Sequence, residues 1–440
     1  MALQIRDAKH IFQRLRNGAV PGRGLDAFAV GIERHRKELT RKLAEVKSGE
    51  GDVKFLRGGY GCGKTFMANL LVQDAQQDGF VTSFVVVSDN DLHFHKFDEL
   101  YKKVVGALST PACPQGALGD ILDRWIGSIE EGLIDLGVPD DDPSFEQKVH
   151  AKLDEQLQAL TGNRAPADMI RVVRKIFELK QKSQLQEASG LISWLSGSTN
   201  VAPSIKNLAA IKGDIDSADA LDYLRGILSI IKSAGYRGLV IVIDEAETIL
   251  RMRGDVRSKS LNAIRQIVDA AADYPGLLWA FTGTPTFFDD RQGVKGLEPL
   301  HARIKFEAFQ GVPSLRQPQL ELKPFDRDRL LKVAFKLRSL HPDLAPDDAE
   351  RRIPRELVEQ LVDKVTAGFH GDVGVVPRQF LRTFVNILDV LADDPDQDAH
   401  TLLGFEPAEL TKEEEAVLAG RKLEEPPPSN DGFGGSAVDM

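Results

Sequence analysis

Cysteine is nearly absent: the 440 residues contain only 2, Cys62 and Cys113, so a disulfide framework is excluded as the basis of the fold. No His/Cys set has the spacing of a metal centre either. The nearest approach, His93 and His95 in Asp91-Leu92-His93-Phe94-His95, alternates like strand residues and lacks a third ligand, so it reads as structural. Long apolar runs are missing. The longest are short strands such as Leu239 to Ile243, far below the roughly 20 residues of a spanning helix, so no membrane partner is expected. At the N-terminus Arg6, Asp7, Lys9 and Arg14 interrupt any apolar leader, and the expected compartment is the cytoplasm. Positive charge is in deficit, with 56 Lys and Arg against 66 Asp and Glu and a net charge of -10. The chain as a whole therefore does not attract nucleic acid; contact with DNA requires a local basic patch or the assembly of several copies. There is no internal repeat.

What is present is an ordinary globular composition, 42% hydrophobic and 28% charged. At this length the chain is expected to form two or three lobes rather than one core. Residues Leu3 to Leu15 have the spacing of an amphipathic helix, with Ile5, Ile11, Phe12 and Leu15 on one side. A Gly/Pro loop follows at Asn17 to Gly24, then a helix over about Gly31 to Val46 with Arg34, Arg36, Lys37, Arg41 and Lys42 on its polar face. These make an N-terminal helical arm, residues 1–50.

From residue 51 the pattern alternates. Strands are predicted at Val53–Leu56, Val81–Val87, Leu239–Ile243, Leu277–Phe281 and Gln319–Leu322. Helices are predicted at Lys64–Asp78, about Phe97–Leu108 and about Ser258–Ala272. Alternation of this kind predicts an α/β fold with a doubly wound parallel sheet over residues 51–325. The stretch from about 110 to 235 is too long for a simple crossover and reads as helical (Leu118–Leu133, Phe145–Leu160, Ala167–Glu178, Ala218–Ser233). It is expected to be an insertion lobe. Residues 326–395 read as a helical lid opened by Asp326 as N-cap. Over 421–440 the Pro- and Gly-rich composition predicts a disordered tail.

Gly58-Gly59-Tyr60-Gly61-Cys62-Gly63-Lys64-Thr65 fits G-x-x-x-x-G-K-[ST] and lies between a predicted strand and a predicted helix, the context that phosphate binding requires. Glycines are needed because backbone N–H groups must close around phosphate oxygens, and the helix N-terminus adds its dipole. Lys64 is placed to reach the β- and γ-phosphates of ATP, and the Thr65 hydroxyl to ligate Mg²⁺, with Phe66 next in the helix. Cys62 occupies a loop position that tolerates many side chains.

Leu239-Val240-Ile241-Val242-Ile243-Asp244-Glu245 delivers two carboxylates at the end of a buried strand. Asp244 is assigned to Mg²⁺, directly or through water, and Glu245 to polarising the attacking water, against the bland reading of a solvated acidic turn. Thr282 ends the strand Leu278-Trp279-Ala280-Phe281-Thr282-Gly283-Thr284 and is the first choice to bind the lytic water or the γ-phosphate, with Thr284 second. A basic stretch in the insertion, Arg171, Arg174, Lys175, Lys180 and Lys182, reads first as a solvated helix face and second as a DNA contact.

This order of parts resembles AAA+ ATPases. More narrowly, the chain resembles the ATP-binding proteins of BREX-type phage-defence systems, relatives of origin-recognition-type ATPases. The residues that carry the likeness are Leu15-Arg16-Asn17-Gly18, Pro21-Gly22-Arg23-Gly24-Leu25 and Val30-Gly31-Ile32-Glu33, then Phe55 to Thr65, Asp244-Glu245-Ala246-Glu247 and Gly283-Thr284-Pro285. The likeness implies a homo-oligomer, other defence-system proteins as partners, and action on DNA or a DNA-associated complex. It places Arg303 where such proteins carry an arginine that reaches a neighbour's γ-phosphate, with Arg291 and Arg316 as alternates. It makes Arg378, in Val376-Pro377-Arg378, the lid arginine that reaches back to the nucleotide. The expected function is an ATP hydrolase that converts turnover into oligomer and conformational change. The alternative is a nucleotide-gated clamp or scaffold with little turnover; a small-molecule kinase is disfavoured by the Asp-Glu pair and the lid.

Overall fold

Apolar runs rich in β-branched and aromatic residues form the strands β1 (Asp52–Arg57), β2 (Val81–Val86), β4 (Leu239–Asp244) and β5 (Leu277–Gly283), and shorter segments form β3 (Leu108–Ser109), β6 (Ala308–Phe309), β7 (Val312–Pro313) and β8 (Gln319–Glu321). They belong to a computed structural model that describes residues 3–88, 92–162, 165–368 and 376–403. The tail expected at 421–440 lies outside these residues, as does part of the expected lid, 369–375. The main sheet has the order β3-β2-β4-β5-β1-β8. All its pairings are parallel except β2 with β3, a two-residue antiparallel edge. The fold is thus α/β with a mostly parallel sheet, as expected. β6 and β7 form a separate small hairpin.

Side-chain alternation divides the molecule. Leu239, Ile241 and Ile243 of β4, with Phe55 of β1 and Leu277, Trp279 and Phe281 of β5, face one hydrophobic core. Val240 and Val242, with Leu56, Leu278, Ala280 and Leu320, face the other. Because both faces are covered, the strands are apolar throughout rather than alternating apolar and polar.

The first core is completed by the long helical stretch between β3 and β4, through Trp125, Leu153, Met169, Phe177, Trp194 and Ile227. This stretch comprises helices Leu118–Asp135, Phe145–Gly162, Ala167–Gln181, Leu185–Leu195, Pro203–Leu208 and Ala220–Ser233. It shares the sheet's core, forming the layer over one face. Helices pack closely where side chains are small: a Cβ at Gly226 would stand 2.3 Å from Met169 Sδ.

The second core is completed by the helix after β1 (Lys64–Gln77), the N-terminal helices and the C-terminal helices, through Met67, Leu71, Phe12, Leu43, Leu330, Leu337, Val358 and Phe384. The two N-terminal helices attach to different neighbours. Helix Glu33–Lys47 is clamped to helix Lys64–Gln77 by a bidentate Arg36–Asp74 pair, at 2.6 and 2.8 Å. Helix Ile5–Arg16 is tied to helix Val376–Asp393 by Arg16 to Asp389, at 2.6 and 2.8 Å. A buried lysine locks the arrangement from inside: Lys54 of β1, 1% exposed, donates to Glu38 at 3.1 Å and to the Leu315 and Gln317 carbonyls at 2.8 and 2.7 Å.

Candidate functional site

The loop between β1 and helix Lys64–Gln77 lies at the carboxyl end of the sheet, beside the ends of β4 and β5. Its glycines are required by geometry. Gly61 and Gly63 have φ of 74° and 84°, where a side chain costs about 1 kcal/mol or more. A Cβ at Gly58 would stand 3.0 Å from the Leu322 carbonyl oxygen and 3.1 Å from Cys62 Cβ. Gly63 N-caps the helix, so the first free amides of Lys64–Gln77 point into the loop, a cradle suited to phosphate. Tyr60, Thr65 and Phe66 are half-buried around it, and Cys62 is buried.

Asp244, 2% exposed, receives two hydroxyls. Thr65 Oγ1 donates to Oδ2 at 2.9 Å, and Thr282 Oγ1 donates to Oδ1 at 2.5 Å. The same Thr282 hydroxyl accepts the Glu245 amide at 3.0 Å. Glu245 has φ 61° and ψ 42°, an uncommon conformation for a side-chain-bearing residue. It turns the chain sharply after β4, leaving Glu245 exposed while Asp244 stays buried. Thr284, the second choice from sequence, is occupied elsewhere. Its side chain caps helix Pro285–Asp289, accepting from the Phe287 amide at 3.4 Å.

Lys64 is 8% exposed. Its ammonium donates to the Gly59 carbonyl at 3.2 Å, lies 5.2 Å from the Tyr60 ring centre and sits 3.7 Å from Glu247 Oε1. Glu247 is buried, and burial pushes its carboxyl above the usual carboxylate range, opposed by Lys64. Sequence reasoning gave Glu247 no role, although a third acid three residues past the strand's Asp was visible. It also missed Arg57, the last residue of β1, which holds Asp289 at 2.7 Å and lies 5.2 Å from the Phe306 ring centre. This ties the loop's entry to the segment after β5.

Hard oxygen donors at the helix N-terminus suit Mg²⁺, which takes one or two carboxylates plus phosphate and water rather than an all-protein cage. Thr65 Oγ1 and Asp244 Oδ2, 2.9 Å apart beside the cradle, are such a pair. Among the described residues no group of three or more His, Cys, Asp and Glu forms a metal site. His93 contacts Glu99 at 3.2 Å instead.

The two arginines lie outside this cluster of contacts. Arg303, in helix Glu298–Ile304, pairs with Asp269 of helix Gly254–Ala270 in its own chain. Arg291 and Arg316 are exposed. Arg378, exposed in the first turn of Val376–Asp393, packs on the N-terminal loop: a Cβ at Gly18 would lie 3.0 Å from its Nε. Downstream, that loop meets helix Lys64–Gln77 through Phe28, whose ring is 5.4 Å from that of Phe66. The loop therefore bridges the helix after the cradle and the helix carrying Arg378. The basic stretch of the insertion is largely neutralised within the chain. Arg171 pairs with Asp168, Arg174 with Asp154, Lys175 with Glu178 and Lys180 with Asp123.

A mostly parallel sheet, a glycine cradle at a helix N-terminus and a buried aspartate linked to the helix's first threonine define a P-loop nucleotide-binding protein. The chain belongs to the BREX system ATP-binding protein BrxC/D family, which it matches over residues 3–407. No curated protein matches it. Among solved structures it is similar to a chain from the structure of Drosophila ORC bound to DNA, at 11% identity and a TM-score of 0.39, over 90% of this chain and 65% of that one. No described helix is long and apolar enough to cross a membrane.

Proposed function

We propose that this protein is an ATP hydrolase that binds ATP with Mg²⁺ and couples turnover to a change in its assembly within a phage-defence complex. The observation that carries this reading is the paired hydrogen bonding of Asp244 by Thr65 and Thr282, with Glu245 held in a left-handed turn beside it. A protein that only bound phosphate would need the cradle and not this arrangement. Glu245 takes a proton from the water that attacks the γ-phosphorus as the bond to the β,γ-bridging oxygen breaks. Lys64 and the loop amides neutralise charge on the transferred group. Thr282 fixes Asp244 and the Glu245 backbone, and in that geometry acts on water only through them. Bound Mg²⁺, held by Thr65 and Asp244, would supply charge neutralisation between the phosphates.

Lid coupling is supported by the N-terminal loop, which touches Phe66 on one side and Arg378 on the other. A nucleotide that shifts either contact shifts the lid helix. Action on DNA or a DNA-associated complex rests on the resemblance to origin-recognition-type ATPases read from the sequence, and the internal pairing of the basic residues on helix Ala167–Gln181 directs it away from that helix. The test is a pair of variants. Lys64→Ala is expected to reduce ATP binding severely, whereas Glu245→Gln is expected to bind ATP normally and turn over at least a hundredfold more slowly, about the contribution of a positioned base. Turnover by Glu245→Gln equal to that of the unaltered chain would remove Glu245 as the base; little turnover by the unaltered chain itself would support the nucleotide-gated clamp instead.

A further inference from the structure

Glu247 stands outside the chemistry assigned so far. It is 7% exposed, its Oε1 faces the Lys64 ammonium at 3.7 Å, and its Oε2 is buried with no hydrogen-bond partner. A buried carboxylate serving as scaffold is normally hydrogen-bonded through both oxygens. This one has the P-loop lysine as its charge partner and an oxygen to spare. The remaining contacts of the Lys64 ammonium are the Gly59 carbonyl, at 3.2 Å, and the Tyr60 ring, 5.2 Å from its centre.

We propose that Glu247 is a positioning residue that competes with the phosphates for Lys64, so that nucleotide must take the lysine from a carboxylate. The inference rests on the nucleotide reading above. One ammonium cannot neutralise both groups at short range. When it moves to the phosphates, Glu247 is left buried without its cation, a costly state. That cost lowers nucleotide affinity. It falls on the segment Ala246–Arg251, which carries Glu247 and leads directly from β4 towards helix Gly254–Ala270. Occupancy of the cradle is thereby signalled to the helix whose Asp269 holds Arg303.

Glu247→Gln keeps the shape and removes the charge. Calorimetric titration with ADP-Mg is expected to show binding about tenfold tighter than in the unaltered chain, a typical size for coupling between two sites. A residue with a merely structural role would leave affinity unchanged or weaken it, and either result overturns the proposal. A second measurement needs no nucleotide. The melting temperatures of Lys64→Met, Glu247→Gln and the double variant are compared. Non-additivity, with Lys64→Met shifting the melt less once Glu247 is Gln, supports the pair; additive shifts overturn it. If the unaltered chain fails to bind ADP-Mg, the nucleotide reading fails, and the melting cycle still decides whether Glu247 and Lys64 are coupled.

Discussion

The Thr282 hydroxyl is a joint through which the acidic pair is set. It donates a hydrogen bond to Asp244 and accepts one from the Glu245 amide, and it is fully buried. Thr282→Val preserves the volume and strands both partners. Stability is expected to fall by about 1–3 kcal/mol, the usual cost of an unmade buried hydrogen bond, as read by chemical denaturation. Thr282→Ser should restore most of it. Turnover should fall further than ATP affinity, because Asp244 and Glu245 lose their orientation while the cradle keeps its amides. A histidine gives the corresponding pH test. His35 Nε2 contacts the Glu321 carbonyl oxygen at 2.8 Å, and burial lowers its pKa below the usual value despite that contact. The folded state then resists protonation more than the unfolded chain. Stability from the neutral ring is present above the unfolded pKa of about 6.5 and is lost as pH falls through the window between that value and the folded one. Denaturation between pH 8 and 5 is expected to show a shallower acid loss for His35→Gln than for the unaltered chain.

At the scale of elements, the locked contact is Lys54 with Glu38, joining β1 to the N-terminal helix Glu33–Lys47. Lys54→Met should destabilise the fold by about 1–3 kcal/mol, because it strands the Leu315 and Gln317 carbonyls while Glu38 keeps its bidentate pair with Arg41. Glu38→Leu, which leaves those carbonyl contacts in place, should cost less than Lys54→Met in a two-variant denaturation series. Elements were legible where the signal was local. The glycine spacing, the apolar run of β4 and the Pro-Arg start of the lid helix all appear in one short window. β3 was hidden because two residues carry no period, and they pair antiparallel only because the chain turns back at the sheet edge. Helix Leu185–Leu195 was missed because Ser189 and Gly190 break the apolar rhythm; a Cβ at Gly190 would stand 2.9 Å from Ile205, so the glycine serves a close approach. The left-handed Glu245 and the Glu247–Lys64 contact depend on residues far apart in sequence, beyond what spacing encodes. The basic stretch was visible, but the partners of Arg174 and Lys180, Asp154 and Asp123, sit on other helices.

At the scale of the whole molecule, the prediction is that Arg303 serves a neighbouring copy. It is 41% exposed at the side chain and held by Asp269. Arg303→Ala is expected to bind ATP and hydrolyse it poorly. Mixing it with Lys64→Ala should restore part of the turnover, since an intact cradle from one chain meets an intact arginine from another. A finger arginine is worth about a thousandfold in rate or more, which leaves ample room to see the gain. A steady-state assay in which the mixture equals the sum of its parts removes Arg303 from this role and passes the test to Arg291 and Arg316.

The sheet also acts as a partition wall. Neighbouring residues of one strand answer to different rooms: Val242 shares a core with helix Lys64–Gln77 and the N- and C-terminal helices, Ile243 with the long helical stretch. The N-terminal and C-terminal helices lean on one side of the wall; the large stretch between β3 and β4 hangs on the other, together with Ala246–Arg251 and helix Gly254–Ala270. Substitutions on the outer surface of that stretch should therefore leave the loop after β1 undisturbed, so long as the apolar side chains that press on the wall and on helix Gly254–Ala270 are kept.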